Sequence, residues 1–395
     1  MKLHIIFGLL ALTLASLACR VSLTPAPEPL PSPAALPSAT LTPIPPPTET
    51  PTATPTPPLA ASSGPALLKL QMFTSTRGWG RTEEQILVTN DGGLSWAQVP
   101  LTGVTVDSSV SAAFINNDIA YFLAPVPGSN IGQLFATRDG GATWLISPTP
   151  FGSAELYFIN DNVGFAFQTL SIVNNLMTVA IYQTLDRGAL WTQVFIHTAN
   201  QKNNLPVEGI KTGMSFINGS QGFIGLREQR NTIGFYSAPD AGRTWFKQEL
   251  TLPDEIDDEY TSTVWPPLFI PGNETDGFLA VDFFTGTSGA STRVFYLTHD
   301  SGLTWQEAGQ FPEGAAFFFV DPQTGWAWSE NTIYTTTDGT QTWNQLPAAF
   351  GRSERASNIT FPDPLNGWLT TVDAKNTLRL YRTTDGGGTW TAIIP

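Results

Sequence analysis

The chain has 395 residues, a formal net charge of −14 and only 13% charged residues, against 11% aromatic residues. An acidic, lysine-poor surface argues against a nucleic-acid partner and against attraction to anionic lipid. With one cysteine and three histidines, the sequence offers no internal disulfide and favours neither a zinc site nor a Cys–His catalytic pair. This composition is typical of an all-β extracellular domain.

Residues 1–18 have the pattern of a lipoprotein signal peptide. A short apolar run follows Lys2, and Ser16-Leu17-Ala18-Cys19 resembles a bacterial lipobox. The run is shorter than the ~20 residues that span a bilayer. We expect an exported protein on the bacterial cell surface, lipid-anchored through Cys19 to the outer face of the membrane. Ordinary cleavage after Ala18, which gives a secreted protein, is the alternative.

Residues 19–64 are predicted to form a linker that carries the lipidated cysteine at its start. Fourteen prolines lie between Pro25 and Pro58, mixed with Thr, Ala and Ser. This composition cannot bury a core and favours extended polyproline II. At ~3.1 Å per residue, the segment reaches on the order of 100 Å. It therefore serves as a spacer between the anchor and the folded domain.

Residues 65–395 contain seven copies of a motif that reads approximately S/T-x-D-x-G-x-T-W. The aspartate–tryptophan pairs are Asp91 and Trp96, Asp139 and Trp144, Asp186 and Trp191, Asp240 and Trp245, Asp300 and Trp305, Asp338 and Trp343, and Asp385 and Trp390. A turn motif that recurs about every 50 residues indicates stacked four-stranded units. The predicted fold is all-β: a single seven-bladed β-propeller of four-stranded antiparallel blades.

A second pattern precedes each aspartate motif. A phenylalanine is followed, usually seven residues later, by another aromatic residue that commonly follows glycine, as in Phe158 with Gly164-Phe165. Turn residues lie between the two aromatics, which predicts strand, tight turn, strand. Each unit is thus strand A, turn, strand B, loop, strand C, Asp turn and strand D. Three copies depart from the motif, at Leu190, Ala238 and Thr340.

The paired pattern G-W/F and T-x-D-G-G-x-T-W resembles the Asp-box (BNR) repeats of sialidases, sortilin-type receptors and the photosystem II assembly/stability factor family. It is most similar to the last of these, over residues 66–395. The resemblance implies that the Asp boxes are structural turns far from any active site. It also implies an extracytoplasmic assembly or stability factor for a membrane complex.

Loop lengths predict which face carries a site. The A–B and C–D turns share one face and are nearly constant in length, whereas the B–C and D–A loops share the other face and vary widely. Function is commonly carried by variable loops on a rigid frame. We therefore expect the site on the face opposite the Asp boxes, where 192–215, 246–268 and 279–297 are predicted to be the longest loops.

The second of these loops supplies the candidate binding residues. They are Asp254, Glu255, Asp257, Asp258, Glu259, Tyr260 and Trp265. The carboxylates suit calcium or a cationic partner, and the aromatics suit sugar rings. A solvated acidic loop is the alternative.

A sialidase-like site requires three arginines and a Tyr–Glu pair, and Arg227, Arg230 and Arg293 show no matching context. We predict no catalytic residue, metal or cofactor. The favoured hypothesis is a non-enzymatic, monomeric interaction module that binds protein or glycan on the cell surface and contacts membrane only through its lipid anchor. A sialidase-like glycoside hydrolase or a glycan-binding propeller is the alternative.

Overall fold

The computed structural model describes residues 67–197, 205–227, 230–257, 259–270, 272–285, 291–312, 316–329, 332–347, 354–375 and 377–393. The predicted signal peptide, Cys19 and the linker lie outside these residues. All regular elements within them are β-strands. Among the described residues, no helix has the length and apolarity needed to cross a membrane.

Each of the first three repeats forms a four-stranded antiparallel sheet in chain order. The first contains β1 (Lys69–Met72), β2 (Gly78–Arg81), β3 (Ile86–Thr89) and β4 (Ala97–Gln98). The second contains β5 (Ser111–Phe114), β6 (Ala120–Pro125), β7 (Gly132–Thr137) and β8 (Leu145–Thr149). The third contains β9 (Glu155–Phe158), β10 (Gly164–Val173), β11 (Leu176–Thr184) and β12 (Thr192–Ile196).

The fourth and fifth repeats join into one nine-stranded sheet. The fourth contains β13 (Ile210–Phe216), β14 (Gly222–Arg227), β15 (Phe235–Ala238) and β16 (Phe246–Lys247). The fifth contains β17 (Tyr260–Val264), β18 (Leu268–Ile270), β19 (Asn273–Thr285), β20 (Ser291–Thr298) and β21 (Gln306–Pro312). One residue pair, Arg227 with Thr263, connects β14 to β17.

The last two repeats again form separate four-stranded sheets. The sixth contains β22 (Ala316–Phe319), β23 (Gly325–Ser329), β24 (Thr332–Thr336) and β25 (Asn344–Gln345). The seventh contains β26 (Glu354–Thr360), β27 (Gly367–Asp373), β28 (Leu378–Thr383) and β29 (Thr391–Ile393).

The fifth repeat differs from the predicted four-stranded unit. Both β17 and β18 pair with β19, so its first strand is interrupted at Trp265-Pro266-Pro267. Proline has no N–H for the ladder and therefore breaks a strand. The prediction of a long loop at 279–297 was wrong, because most of these residues lie in β19 and β20.

Hydrophobic side chains fill the spaces between consecutive sheets. One cluster joins the first repeat to the last, through Leu70 and Met72 against Trp368 and Leu380. The Trp368 Nε1 donates a hydrogen bond to the Gly92 carbonyl at 2.8 Å. The first strands of neighbouring repeats also contact each other, including β26 with β1. The sheets therefore close into a ring with their first strands innermost.

The ends of the array each complete their own sheet. The sequence left two pairings open for residues Ala66–Gln71: they form the first strand of the first sheet or the outer strand of the last sheet. Within the described residues, β1 pairs with β2 and β29 pairs with β28. The first and last sheets therefore meet through side-chain packing and side-chain hydrogen bonds.

The recurring aromatic pair joins one repeat to the next. The strand B aromatic of one repeat stacks on the strand A phenylalanine of the following repeat, as with Phe165 on Phe216, whose ring centroids are 3.5 Å apart. The Trp245 ring meets the same Phe216 ring edge-on. Equivalent stacks join Tyr121 to Phe158, Phe278 to Phe319, and Trp326 to Phe361. The paired aromatic residues and the Asp-box tryptophan thus belong to the same interface between neighbouring repeats.

Candidate functional site

The Asp-box turns are built by side-chain hydrogen bonds to backbone. In the second box, Asp139 Oδ1 accepts from the Thr137 hydroxyl and from the Thr143 N–H, and Asp139 Oδ2 accepts from the Thr143 hydroxyl at 2.6 Å. The Thr137 hydroxyl oxygen accepts from the Gly141 N–H at 2.8 Å. The hydroxyl bond from Thr143 is the main cause that lowers the pKa of Asp139.

The departures in sequence change these bonds as expected from their side chains. Leu190 keeps only its N–H bond to Asp186, since it has no hydroxyl. Asp240 accepts from the Thr244 N–H, and Ala238 offers it no hydroxyl. Thr340 occupies a glycine position at φ 88°, and its buried hydroxyl has no hydrogen-bond partner among the described residues.

The A–B turn and the Asp box of each repeat are neighbours, which confirms that they share a face. The residue after the box aspartate donates its N–H to a carbonyl of the A–B region in all seven repeats, as Gly92 does to Thr76 and Gly386 to Leu365. We call this side the Asp-box face and the opposite side, with the B–C and D–A loops, the loop face.

The predicted candidate residues are dispersed along the loop face. Asp254, Asp257 and Glu259 are exposed, and Asp258 lies outside the described residues. Glu255 accepts a hydrogen bond from Gln310 at 3.1 Å. Within the described residues, no group of three or more His, Cys, Asp or Glu side chains is placed to hold a metal ion.

The two predicted aromatics are partly engaged in the fold. Tyr260 is half-buried and packs edge-on against Phe283. The Trp265 indole N–H donates to the Asp282 carboxylate at 2.8 Å and leaves the side chain 37% exposed. Their role as a sugar-stacking platform stays a prediction.

A cleft lies beside Tyr260, between the third, fourth and fifth repeats. This cleft of about 820 Å³ is lined by Asn175, Arg227, Arg230, Thr261, Ser262, Thr263 and Phe284. All of these residues come from B–C ends or from the beginning of a strand A, so the cleft opens on the loop face. We call it the arginine cleft.

The arginine cleft has fixed walls. The Asn231 N–H donates to the Tyr260 carbonyl at 2.9 Å, and the Asn231 side chain accepts from the Tyr260 N–H at 3.0 Å. The Ser262 hydroxyl donates to the Thr232 carbonyl at 2.7 Å. These bonds hold the loop that carries Arg230 against β17. The cleft is therefore largely preformed.

Arg227 and Arg230 have no acidic partner among the described residues. Guanidinium groups bind carboxylates through planar, bidentate hydrogen bonds. The Thr261 hydroxyl adds a donor, and Phe284 adds an apolar surface that is 45% exposed. The cleft therefore suits an acidic group next to an apolar one. In the sequence, these two arginines and Arg293 did not match the arginines of a sialidase-like site. The sequence did not predict that Arg227 and Arg230 lie next to β17.

Arg293 lies apart from the cleft. It is buried, and its guanidinium pairs with Asp282 through two hydrogen bonds of 2.6 and 2.7 Å. This buried bidentate pair holds strands β19 and β20 together and engages one edge of the guanidinium. Sequence spacing did not reveal this pair, because Asp282 and Arg293 face each other across a hairpin.

A second buried carboxylate is also satisfied internally. Glu354 accepts from the Thr371 hydroxyl at 2.7 Å and the Tyr381 hydroxyl at 2.9 Å, and it pairs with Arg379. Burial and the neighbouring carboxylate raise the pKa of Tyr381 to about 12. This network stabilises the start of β26 and engages both carboxylate oxygens of Glu354.

Comparison with known proteins supports the fold. No family model matches the chain, and no curated protein matches it. Similar solved structures include YCF48 bound to D1 peptide, with a TM-score of 0.53 and 17% identity over 82% of this chain and 95% of the other. YCF48 from Cyanidioschyzon merolae has a TM-score of 0.52 and 16% identity, over 82% of this chain and 97% of the other.

A glycoside hydrolase shares the same architecture. The GH74 xyloglucanase from Xanthomonas campestris has a TM-score of 0.54 and 13% identity, over 84% of this chain and 55% of the enzyme. The chain thus spans about half the length of that enzyme. At these identities the similarity establishes the fold alone: the chain is an Asp-box-type β-propeller, similar to YCF48 and to propeller enzymes.

Proposed function

We propose that this protein is a binding module, a seven-bladed propeller that recognises a partner protein on its loop face. The observation that carries the proposal is the arginine cleft, where Arg227 and Arg230 have no acidic partner among the described residues. An acidic segment of a partner supplies the carboxylates, and Phe284 packs against an adjacent apolar side chain. YCF48 bound to a peptide is a precedent for this use of the fold.

The proposal includes the cellular setting. Export by the signal peptide 1–18, lipidation at Cys19 and a proline-rich spacer place the propeller on the bacterial cell surface, as a monomer tethered to the outer face of the membrane. In that setting its role resembles that of an extracytoplasmic assembly or stability factor for a membrane complex.

A capture experiment tests the proposal. The full chain, displayed in membranes, is crosslinked to its neighbours, and the captured proteins are compared with those of the Arg227→Ala/Arg230→Ala variant. We expect the double variant to lose its specific partner. Arg243→Ala, which changes an exposed arginine on the Asp-box face, should retain it. Equal capture by both variants contradicts the proposal.

The alternative of a glycan-directed propeller has its own readout. Hydrolysis or retention of xyloglucan and of acidic polysaccharides by the full chain, abolished by Tyr260→Ala or Trp265→Ala, would replace protein recognition with glycan recognition. Point variants are preferable to removal of the segment 246–268, because that segment contains β16 and β17 and the first residue of β18.

A further inference from the structure

The hairpin of β10 and β11 extends beyond the rest of its sheet on the loop face. Strand β9 pairs with β10 only from Gly164 to Phe167, whereas β11 pairs with it as far as Val173. Among the described strands, none pairs with residues 168–173 on the side where β9 lies. No described residue forms a backbone hydrogen bond with them on that side. We call this the free edge of β10.

The other edge of the same hairpin is covered. The Met177 N–H donates to the Val207 carbonyl at 2.9 Å, and the Gly209 N–H donates to the Asn175 carbonyl at 2.9 Å. Leu176 also forms a bridge with Glu208. The chain thus protects the β11 edge with its own backbone and leaves the β10 edge open.

Apolar side chains surround the free edge. Leu170, Ile172, Val173 and Leu176 are between 43% and 60% exposed. An exposed strand edge with apolar side chains is a template for an added strand. A β-bulge between Thr169 and Ser171 interrupts the edge, so an added strand pairs over short stretches and takes much of its affinity from side-chain contacts.

A small pocket of about 240 Å³ lies at the base of the free edge, where β9 begins. Its lining includes Thr169 on the free edge and Glu155 at the first position of β9. The Glu155 carboxylate accepts no hydrogen bond from a described residue, and Gly213 leaves room beside it. The Glu155 side chain is exposed at this position.

A lysine, Lys211, also lines this pocket. The Lys211 ammonium donates to backbone carbonyls, including those of Met177 at 3.0 Å and Gly209 at 3.1 Å. The pocket therefore presents an exposed carboxylate that a cationic side chain complements.

We propose that the free edge of β10 binds an extended segment of a partner protein as an added strand, with apolar residues against Ile172 and Val173 and a lysine or arginine side chain in the Glu155 pocket. This inference rests on the proposed function, since it specifies the form of the partner segment. The unpaired backbone requires an extended chain, and the carboxylate fixes the charge of one side chain.

Hydrogen exchange with a defined peptide tests this inference. The probe is an acetylated and amidated peptide of sequence Lys-Val-Thr-Val-Thr-Val, added to the full chain at up to 1 mM. We expect slower amide exchange in residues 168–173. Ile172→Lys, which places a charge on the edge, should weaken binding at least tenfold. Leu303→Lys, at a 72% exposed leucine on the Asp-box face, should leave it unchanged.

Two further comparisons make the result specific. Glu155→Gln should weaken the lysine peptide several-fold but not a peptide whose lysine is replaced by threonine. Val173→Lys provides a second edge variant, and thermal unfolding checks that both edge variants are folded. A peptide that fails to slow exchange at 168–173, or that binds Ile172→Lys as well as Leu303→Lys, overturns the inference.

The remaining outcomes separate this inference from the proposed function. Protection of 168–173 that grows with protein concentration in the absence of peptide assigns the edge to a second copy of the chain and overturns the inference. If Ile172→Lys retains the crosslinked partner and Arg227→Ala/Arg230→Ala loses it, strand addition fails and the binding function stands. If the arginine variant also retains it, the proposed function fails too.

Discussion

At the scale of single residues, Thr340 is the most strained position of the Asp boxes. Its φ of 88° lies in a region that β-branched residues rarely adopt, and its buried hydroxyl has no partner in the part of the chain that the structure describes. Both features cost free energy. Six other boxes have glycine there, at φ between 79° and 96°. The sequence shows that Thr340 replaces the usual glycine, and the structure shows the backbone strain and the unpaired hydroxyl that result.

We therefore predict that Thr340→Gly raises the free energy of unfolding by about 1 kcal/mol, because relief of strain exceeds the entropic cost of glycine. Urea unfolding followed by tryptophan fluorescence measures the change. Thr391→Gly, at an exposed strand position, is the control and should lower stability. Equal destabilisation by both variants would contradict the strain argument.

A second residue-level prediction concerns Leu190. Leu190→Thr restores the missing hydroxyl bond to Asp186 that Thr143 makes to Asp139. Leu190 is 74% exposed, so little apolar burial is lost. We expect a gain of about 0.5–1 kcal/mol in the free energy of unfolding. Leu303→Thr, which lies one position too early in its box to reach the second oxygen, should give no gain in the same urea titration.

At the scale of elements, the glycine before the strand B aromatic is explained in five of the repeats by the phenylalanine ring opposite it. A Cβ on Gly222 would lie 2.3 Å from the Phe216 ring. That ring cannot move away, because Phe165 stacks on its face and Trp245 meets its edge. The glycine is thus required by the interface between two sheets, although its backbone has an ordinary strand conformation.

Gly222→Ala should therefore lower the free energy of unfolding by about 1–3 kcal/mol, as overpacking in a filled core does. Gly219→Ala is the matched control, since its Cβ would meet nothing closer than 3.6 Å. Thermal unfolding of both variants measures the difference. A melting temperature that is equal for the two would show that the stack can yield.

The sequence predicted the order of strands but not their lengths. The long interval before Asp300 indicated a loop, whereas β19 and β20 continue as paired strands. Spacing between motifs cannot distinguish a loop from a longer hairpin. The interruption of the fifth repeat at Pro266 and Pro267 was visible as a proline pair, but its position in the innermost strand depends on pairing with β19.

At the scale of the whole molecule, the Asp boxes make the free energy of unfolding depend on pH in the acidic range. The Thr389 N–H and hydroxyl, together with the Thr383 hydroxyl, lower the pKa of Asp385 to about 2. Hydroxyl bonds likewise lower the pKa of the box aspartates Asp91, Asp139, Asp300 and Asp338. A pKa lowered in the folded state contributes stability that is present above the ordinary pKa of 3.8.

This contribution should disappear as the pH falls from about 4 towards about 2, because protonation then favours the unfolded chain. We predict that urea midpoints decline steeply in this range and that Asp385→Asn makes the decline shallower while it lowers stability at neutral pH. Glu249→Gln, at an exposed carboxylate outside the boxes, should leave the slope unchanged. Identical slopes for all three proteins would contradict the assignment.

The candidate site was predictable only as a face. Uniform turns and variable loops placed it opposite the Asp boxes, and the arginine cleft opens there. Its residues were not predictable, because Asn175, Arg227, Thr261 and Phe284 come from three repeats and meet through ring geometry. The acidic run 254–259 was predicted as a binding segment from its composition, but composition does not determine which side chains lie close together in the fold.

The bond from Trp368 to Gly92 joins residues 276 positions apart and has a consequence for how the chain acquires its structure. The apolar flank of the first sheet, with Leu70 and Met72, stays uncovered until the final sheet has been synthesised and has docked. Contacts so distant in sequence form slowly, and exposed apolar flanks aggregate in the meantime. Premature termination of synthesis would leave a molecule with two unmatched flanks, and we expect such products to be degraded or to precipitate.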